Sequence, residues 1–222
     1  MRSVIRLILG LLLYPGLLFG PAGTLAWPEG WVFLAIHGGL TWWLMLWLKR
    51  HDPALLAERL KGMIQPGQPL WDRALLLVFA ALWLGWLTVP GFDQRHGWSD
   101  VPLWLQGVGG LLLLLGWWGI IATHQVNTFL APVVRIQVER GQHVVDTGPY
   151  AIVRHPMYAA LVPFTLGSAL LLDSWVATAL APLVTLPLLI RTVLEDNTLA
   201  RELPGYEEYR ARVRYRLVPG LW

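Results

Sequence analysis

The sequence predicts an all-α fold, a polytopic membrane bundle of about five or six transmembrane helices ending in a C-terminal helical hairpin. Three observations predict it. The chain of 222 residues is 55% hydrophobic and only 14% charged, whereas soluble domains carry about 25% charged residues. Its apolar residues form long uncharged blocks, and nearly all Lys and Arg fall in alternate connections between those blocks.

The uncharged blocks are long enough to act as membrane spans, which need about 20 mostly apolar residues (range about 17–25). The first block follows Arg2 and Arg6, as in a signal peptide, but it is longer than the apolar core of such a peptide. We therefore expect it to be retained as a span. Stretches without Asp, Glu, Lys or Arg cover 7–28, 30–48, 74–92, 101–134, 155–172 and 174–190.

The basic residues predict the orientation of the bundle. If six spans alternate, Arg95 alone among the 17 Lys and Arg lies on one side, and all the others lie on the opposite side. Positive residues mark the cytoplasmic side of a membrane protein. The sequence therefore predicts that both termini and the three charged connections are cytoplasmic. The pI near 9.5 then indicates contact with anionic membrane lipid, with no nucleic-acid partner.

The last two spans are predicted to form a helical hairpin, because only "DSW" (173–175) separates them. The hairpin begins beside Arg154 and His155 and returns to the same surface at Arg191. No repeat or linker divides the chain, so we expect a single domain over 1–222. The glycines of "GVGG" (107–110) lie within a span and predict close helix packing.

Several kinds of chemistry have no support in the sequence. The chain has no cysteine, which removes disulfides, thiol nucleophiles and iron–sulfur ligation. Its six histidines lack metal-ligand spacing, and we predict no metal site. No nucleophile elbow, phosphate-binding loop or paired-histidine zinc motif is present.

Arg191 and Glu195 are the first candidates for a functional site. Four residues apart on one helix, they share a face. An ordinary surface ion pair is one interpretation. Their position at the end of a span favours a function, because charges at membrane depth usually face a protein interior or a watery cavity. The hairpin would also bring them close to Arg154 and His155.

The C-terminal part of the chain resembles a known family. "QHVVDTGPYAIVRHPMY" (142–158) and the later "RTVLEDNTLARELPGYEEYRARV" (191–213) contain G-P-Y, R-H-P-x-Y, R-x-x-x-E and Y-x-x-Y in order. This pattern resembles the isoprenylcysteine carboxyl methyltransferases, integral membrane enzymes that use S-adenosylmethionine (SAM) and are related to phospholipid methyltransferases. The resemblance covers 125–222. It implies N-terminal spans over 1–123 and a catalytic region with cytoplasmic cofactor-binding loops over 124–222.

The resemblance also implies roles for individual residues. Glu195 would bind the amino group of the cofactor's methionine, and Arg191 would hold the acceptor, by its carboxylate in carboxyl methyltransferases. These two are the implied catalytic residues. The rest of the cofactor pocket would comprise Gln137, Gln142, His143, Val144, Val145, Tyr150, His155, Pro156, Met157 and Tyr158.

The chain departs from the family pattern at three positions. Gln142 stands where histidine is frequent, Ala160 where glycine is frequent, and Asp196 replaces a second glutamate. The first changes hydrogen bonding to the nucleoside, and the other two affect the shape of the pocket. The alternating arginines of the tail, from Arg210 to Arg216, predict either contact with anionic lipid or a lid over the cofactor, and the two are compatible.

The acceptor stays open at this stage. The resemblance implies a lipophilic acceptor, with a carboxylate favoured, and a phospholipid amine or a small thiol as alternatives. A carboxylate is already ionised at neutral pH, so its methylation needs no general base. Two alternatives of other classes are an NADPH-dependent sterol-type reductase, which resembles the chain in architecture and in its C-terminal ending, and a non-catalytic membrane binding protein.

Overall fold

A computed structural model describes residues 13–222, and its described part is helical throughout, without strands. The helical residues 13–22 form α1. The other α-helices are α2 (Pro28–His51), α3 (Pro53–Arg59), α4 (Leu70–His96), α5 (Leu103–Val126), α6 (Pro156–Leu171), α7 (Trp175–Glu202) and α8 (Tyr206–Arg212). Two short 3-10 helices, Val138–Arg140 and Gly148–Ala151, lie between α5 and α6.

Four of the described helices are long and apolar enough to cross a membrane: α2, α4, α5 and α7. Helix α6 has 16 residues, slightly fewer than the usual range of about 17–25. These helices confirm the predicted polytopic helical bundle. The first predicted span falls partly on residues 1–12, which lie outside the described part of the chain.

The uncharged block 101–134 is longer than the helix within it, because α5 ends at Val126. The Asn127 side chain accepts a hydrogen bond from the backbone N–H of Phe129 (2.9 Å). Such a local side-chain bond offers the backbone an alternative to the helix. Residues 127–134, although apolar, consequently form a loop, which becomes part of the site wall.

The C-terminal hairpin forms as predicted. Helix α6 ends at Leu171, Asp173 adopts a left-handed conformation (φ 58°), and the Ser174 hydroxyl accepts a hydrogen bond from the N–H of Ala177 at the start of α7. Helix α7 continues past the uncharged stretch 174–190 to Glu202. This extension carries Arg191, Glu195 and Asp196.

Helix α5 packs directly on α6 through glycines. A Cβ placed on Gly109 would lie 2.6 Å from the backbone nitrogen of Leu171, and one on Gly116 would lie 2.7 Å from Phe164. On Gly167, across the interface, a Cβ would overlap the backbone of Leu113. The predicted close packing at "GVGG" is confirmed at Gly109, and this close approach fixes where α6 begins relative to the end of α5.

Candidate active site

A cavity of about 300 Å³ lies at the end of the bundle where α5 finishes and α6 begins. Ligand pockets commonly occupy about 300–1,000 Å³. Its walls come from the end of α3, α4, the loop that follows α5, the start of α6, the extension of α7, and α8. The cavity therefore gathers residues from both halves of the chain.

Most of the residues that the sequence pointed to meet at this cavity. Two of the twelve do not line it: Gln137 and Pro156. Those that do are Gln142, His143, Val144, Val145, Tyr150, His155, Met157, Tyr158, Arg191 and Glu195.

Gln137 lies behind the cavity wall, where its buried side chain donates to the carbonyl of Phe129 (2.7 Å). Its backbone N–H donates to the side chain of Gln142 (2.7 Å), so it orients a lining residue instead of lining the cavity itself. Pro156 is the first residue of α6 and is buried. Proline suits that position, because the first helical N–H needs no partner within the helix.

Arg191 and Glu195 meet through a third residue. An Arg191 terminal nitrogen donates to the Tyr158 hydroxyl (2.7 Å), and that hydroxyl donates to the Glu195 carboxylate (2.6 Å). The ordinary ion pair between the two charged residues is absent from the described contacts. The Tyr158 hydroxyl thus lies between the guanidinium and the carboxylate and binds both of them at the cavity.

The charge partner of Arg191 is Asp72, in the first turn of α4. Arg191 Nε donates to Asp72 Oδ1 (2.7 Å), and Asp72 is fully buried. Gln68 and the backbone N–H of Val134 donate to the other carboxylate oxygen. Breaking a buried pair of this kind typically costs about 3–5 kcal/mol, so Asp72 fixes the position of Arg191.

Asp196 connects Arg154 and His155, the two residues before α6, to the C-terminal tail. Arg154 binds it through two hydrogen bonds (2.8 and 3.0 Å), and the Tyr206 hydroxyl (2.9 Å) and Arg216 (3.1 Å) also donate to it. His155 lies 3.3 Å away. Although burial by itself lowers the pKa of Arg154, Asp196 raises it above its ordinary value.

The tail folds back onto the residues that precede α6. The backbone N–H groups of Arg154 and His155 donate to the carbonyls of Tyr215 and Arg216 (both 2.9 Å). Two of the tail arginines form internal ion pairs: Arg212 with Asp146 (2.7 Å) and Arg216 with Asp196 (3.1 Å). A lid over the cofactor stays a prediction.

One end of the cavity is rich in tyrosine. Tyr150, Tyr206 and Tyr209 pack together with Val144 and Val145, and the Tyr209 hydroxyl donates to the carbonyl of Tyr150 (2.8 Å). Burial raises the pKa of all three phenols, so they remain neutral donors or acceptors. The opposite end is apolar, with walls that include Leu76, Phe79, Leu161 and Leu188.

Sequence reasoning missed Asp72 and Arg59 as members of the site. Both lie in the first half of the chain, outside the motif, and only tertiary packing brings them to the cavity. The one available signal for Asp72 was an acidic residue immediately before a span, flanked by the basic Arg73. Such a pattern is too common on its own to indicate a site.

Comparison with known proteins agrees with this architecture. Residues 104–204 match the sequence model of the family described as phospholipid methyltransferase. The matched region includes Arg154, His155, Arg191 and Glu195. This match confirms the predicted resemblance to membrane methyltransferases over that region. The four long apolar helices agree with a membrane protein.

A curated relative shares part of this region. The chain is 32% identical over 108 residues to the cobalt-zinc-cadmium resistance protein CzcN of Cupriavidus metallidurans (strain ATCC 43123 / DSM 2839 / NBRC 102507 / CH34). The aligned segment covers 47% of this chain and 48% of that protein. The chain thus spans about half the length of the curated relative it matches.

Proposed function

We propose that this membrane methyltransferase-family chain uses SAM to methylate a lipophilic acceptor, with a carboxylate favoured, as in isoprenylcysteine carboxyl O-methyltransferases. The observation that carries the proposal is Glu195. Its half-buried carboxylate lines the cavity and accepts a hydrogen bond from Tyr158, and it forms no direct ion pair among the described residues. Such a carboxylate can accept the ammonium of a ligand, which would compensate its partial removal from water.

The residues around Glu195 fit the chemistry of SAM. Glu195 would hold the ammonium of the methionine part, and the tyrosine-rich end would hold the adenosine, with Gln142, His143, Val144, Val145 and Tyr150 around the nucleoside and His155, Met157 and Tyr158 completing the pocket. When bound, SAM would supply an electrophilic methyl group on a sulfonium. Aromatic side chains can also attract cations through their ring faces.

The acceptor would enter from the apolar end of the cavity, which faces Leu76, Phe79, Leu161 and Leu188. Arg191 would face the acceptor and hold its carboxylate with the N–H groups left free by Asp72, Tyr158 and Pro132. Because a carboxylate is ionised at neutral pH, the chain would need to position the reactants and exclude water. Such positioning can contribute about 7–11 kcal/mol to a two-reactant step.

A phospholipid amine is a second candidate acceptor, favoured by the description of the matching family. An amine must lose a proton before or during methylation, so a base would be needed. Glu195 and His155 are the candidates at the cavity. We place the cavity on the cytoplasmic side, because the basic connections flank it and SAM is water-soluble.

Transfer of label from SAM tests the proposed function. The purified protein in lipid nanodiscs is incubated with methyl-labelled SAM and total membrane lipid, and the labelled product is identified by mass spectrometry. We expect label in an acidic or amine-bearing lipid, and thermal stabilisation by S-adenosylhomocysteine (SAH). Ligand at a hundredfold excess over its dissociation constant adds about 2.7 kcal/mol. Stabilisation by NADPH with no response to SAH would instead favour the sterol-type reductase.

A further inference from the structure

The arginines that line the cavity differ in their partners. Three of the four form ion pairs with buried carboxylates: Arg135 with Glu58, Arg154 with Asp196 and Arg191 with Asp72. Arg59, the last residue of α3, has no carboxylate partner among the described residues. The cavity therefore contains one cation and one anion, Arg59 and Glu195, that form no direct ion pair within the described part of the protein.

Among the described residues, Arg59 makes one hydrogen bond, to a neutral group. One terminal nitrogen donates to the carbonyl of Leu130 (3.1 Å), whereas a guanidinium carries five N–H donors in a rigid fork. Burial lowers the pKa of Arg59 to about 10, and the neighbouring Arg191 cation adds to that effect. Arg59 is thus still charged at neutral pH, and its remaining donors lie at a cavity wall without a protein acceptor in the described residues.

The position of Arg59 distinguishes the two reactants. The helix that carries it packs through Leu55 and Leu56 into the same apolar cluster as Leu130, Met157 and Leu161. The tyrosines and valines of the proposed nucleoside end form a separate cluster. Arg59 follows these two leucines, and its charge acts on Tyr158 and Arg191, which are proposed to face the acceptor, and also on Tyr150 of the nucleoside end. We therefore assign Arg59 to the junction between the two ends, on the side from which the acceptor would enter.

We propose that Arg59 binds the anionic head of the acceptor, a carboxylate or a phosphate carried on an apolar chain, and thereby determines acceptor specificity. This proposal rests on the proposed function and extends it. Arg191 alone cannot select an anion by net charge, because Asp72 already neutralises it. Arg59 supplies the uncompensated charge, and its planar fork matches the two oxygens of a carboxylate or phosphate.

Photolabelling with defined probes tests the assignment. Diazirine-bearing hexadecanoic acid, hexadecyl phosphate and hexadecanol are crosslinked to the protein in phosphatidylcholine nanodiscs. We expect Arg59→Gln to lower labelling by at least one of the two anions by about tenfold or more, since hydrogen bonds to charged groups are stronger than neutral ones. Labelling by the alcohol should not change. Which anion responds distinguishes a carboxylate head from a phosphate head.

Two further variants control for folding and surface charge. Arg59→Lys keeps the charge without the fork and should retain more anion labelling than Arg59→Gln. Arg50→Gln removes an exposed arginine at the end of α2 and should leave all labelling unchanged. Thermal midpoints of the variants establish that the fold is intact.

The affinity for SAH separates this inference from the proposed function. It should be unchanged in Arg59→Gln. Equal labelling of Arg59→Gln and the unmodified protein by both anions would overturn the inference, as would a loss of SAH affinity as large as the loss of labelling, which would assign Arg59 to the cofactor's carboxylate. If the unmodified protein binds no SAH but shows Arg59-dependent labelling, the anion site stands and the SAM proposal fails.

Discussion

Arg191 and Glu195 lie one helical turn apart, and Tyr158 connects them through two hydrogen bonds. The tyrosine hydroxyl accepts from the guanidinium and donates to the carboxylate, so each charged group stays available on its own side. Asp72 anchors Arg191 from behind. At the scale of single residues, the site is a chain of four side chains running from a buried acid to an acid at the cavity.

Tyr158→Phe tests the importance of this chain. The substitution keeps the ring and removes the hydroxyl, so both hydrogen bonds are lost while packing is preserved. Because hydrogen bonds to charged groups contribute about 1.5–3 kcal/mol, we expect the rate of methyl transfer to fall about tenfold or more. The measurement is the initial rate of label transfer from SAM to membrane lipid.

Tyr215→Phe is the matched control for that substitution. Tyr215 is 38% exposed, and within residues 13–222 its backbone carbonyl accepts from Arg154 while its hydroxyl makes no hydrogen bond. The Tyr215→Phe variant should transfer label from SAM at the same initial rate as the unmodified protein. Equal rates for both variants would show that the Tyr158 hydroxyl has no part in the reaction.

At the scale of helices, the α5–α6 interface determines the geometry of the site. Glycines at Gly109, Gly116 and Gly167 let the two backbones approach closely, as small residues do in membrane bundles. Because the loop after α5 and the start of α6 both form cavity walls, a shift between these helices would displace Asn127 relative to Tyr150, which are joined by a 2.6 Å hydrogen bond.

Gly109→Val is expected to disrupt this interface. Its side chain would meet the backbone of Leu171, which has no flexible end that could move aside. Overpacking of this kind typically costs about 1–3 kcal/mol, so the thermal midpoint in detergent should fall by several degrees. The comparison is Gly107→Val, two residues earlier, where nothing lies within 4 Å. A midpoint equally low in Gly107→Val would contradict the assigned contact.

The sequence predicted the helices more reliably than their ends. Uncharged length and the short "DSW" turn were enough for the bundle and its hairpin. The end of α5 was not predictable from hydropathy, since 127–134 is apolar and leaves the helix because of a local hydrogen bond at Asn127. Likewise, the uncharged stretch stops at residue 190, whereas α7 continues through charged residues to Glu202. The length of an uncharged run therefore underestimates this helix.

At the scale of the whole molecule, the two halves of the chain contribute differently to the cavity. The motif 142–158 and the segment from Arg191 are contiguous patterns, so sequence alone could point to His155, Tyr158 and Glu195. The partners Asp72 and Arg59 come from the first half. The Arg191–Asp72 contact joins residues 119 positions apart, a separation at which sequence spacing carries no geometric information.

The complete site also requires the C-terminal tail. Asp196, fully buried, binds Arg154 before α6 and Arg216 of the tail, so the tail is tied to the residues that adjoin the cavity. A water-soluble cofactor and a lipid-soluble acceptor would thus approach one cavity from different directions.

The most direct measurement of the central claim is the affinity of the purified protein for SAH by isothermal titration calorimetry, comparing the unmodified chain with Glu195→Gln. The comparison is completed by Glu202→Gln, which alters an exposed acid at the end of the same helix. We predict that SAH binds the unmodified chain and Glu202→Gln equally, and that Glu195→Gln weakens binding about tenfold or more. Equal affinity in all three proteins, or no binding to the unmodified chain, would contradict the assignment of Glu195 to the cofactor's ammonium.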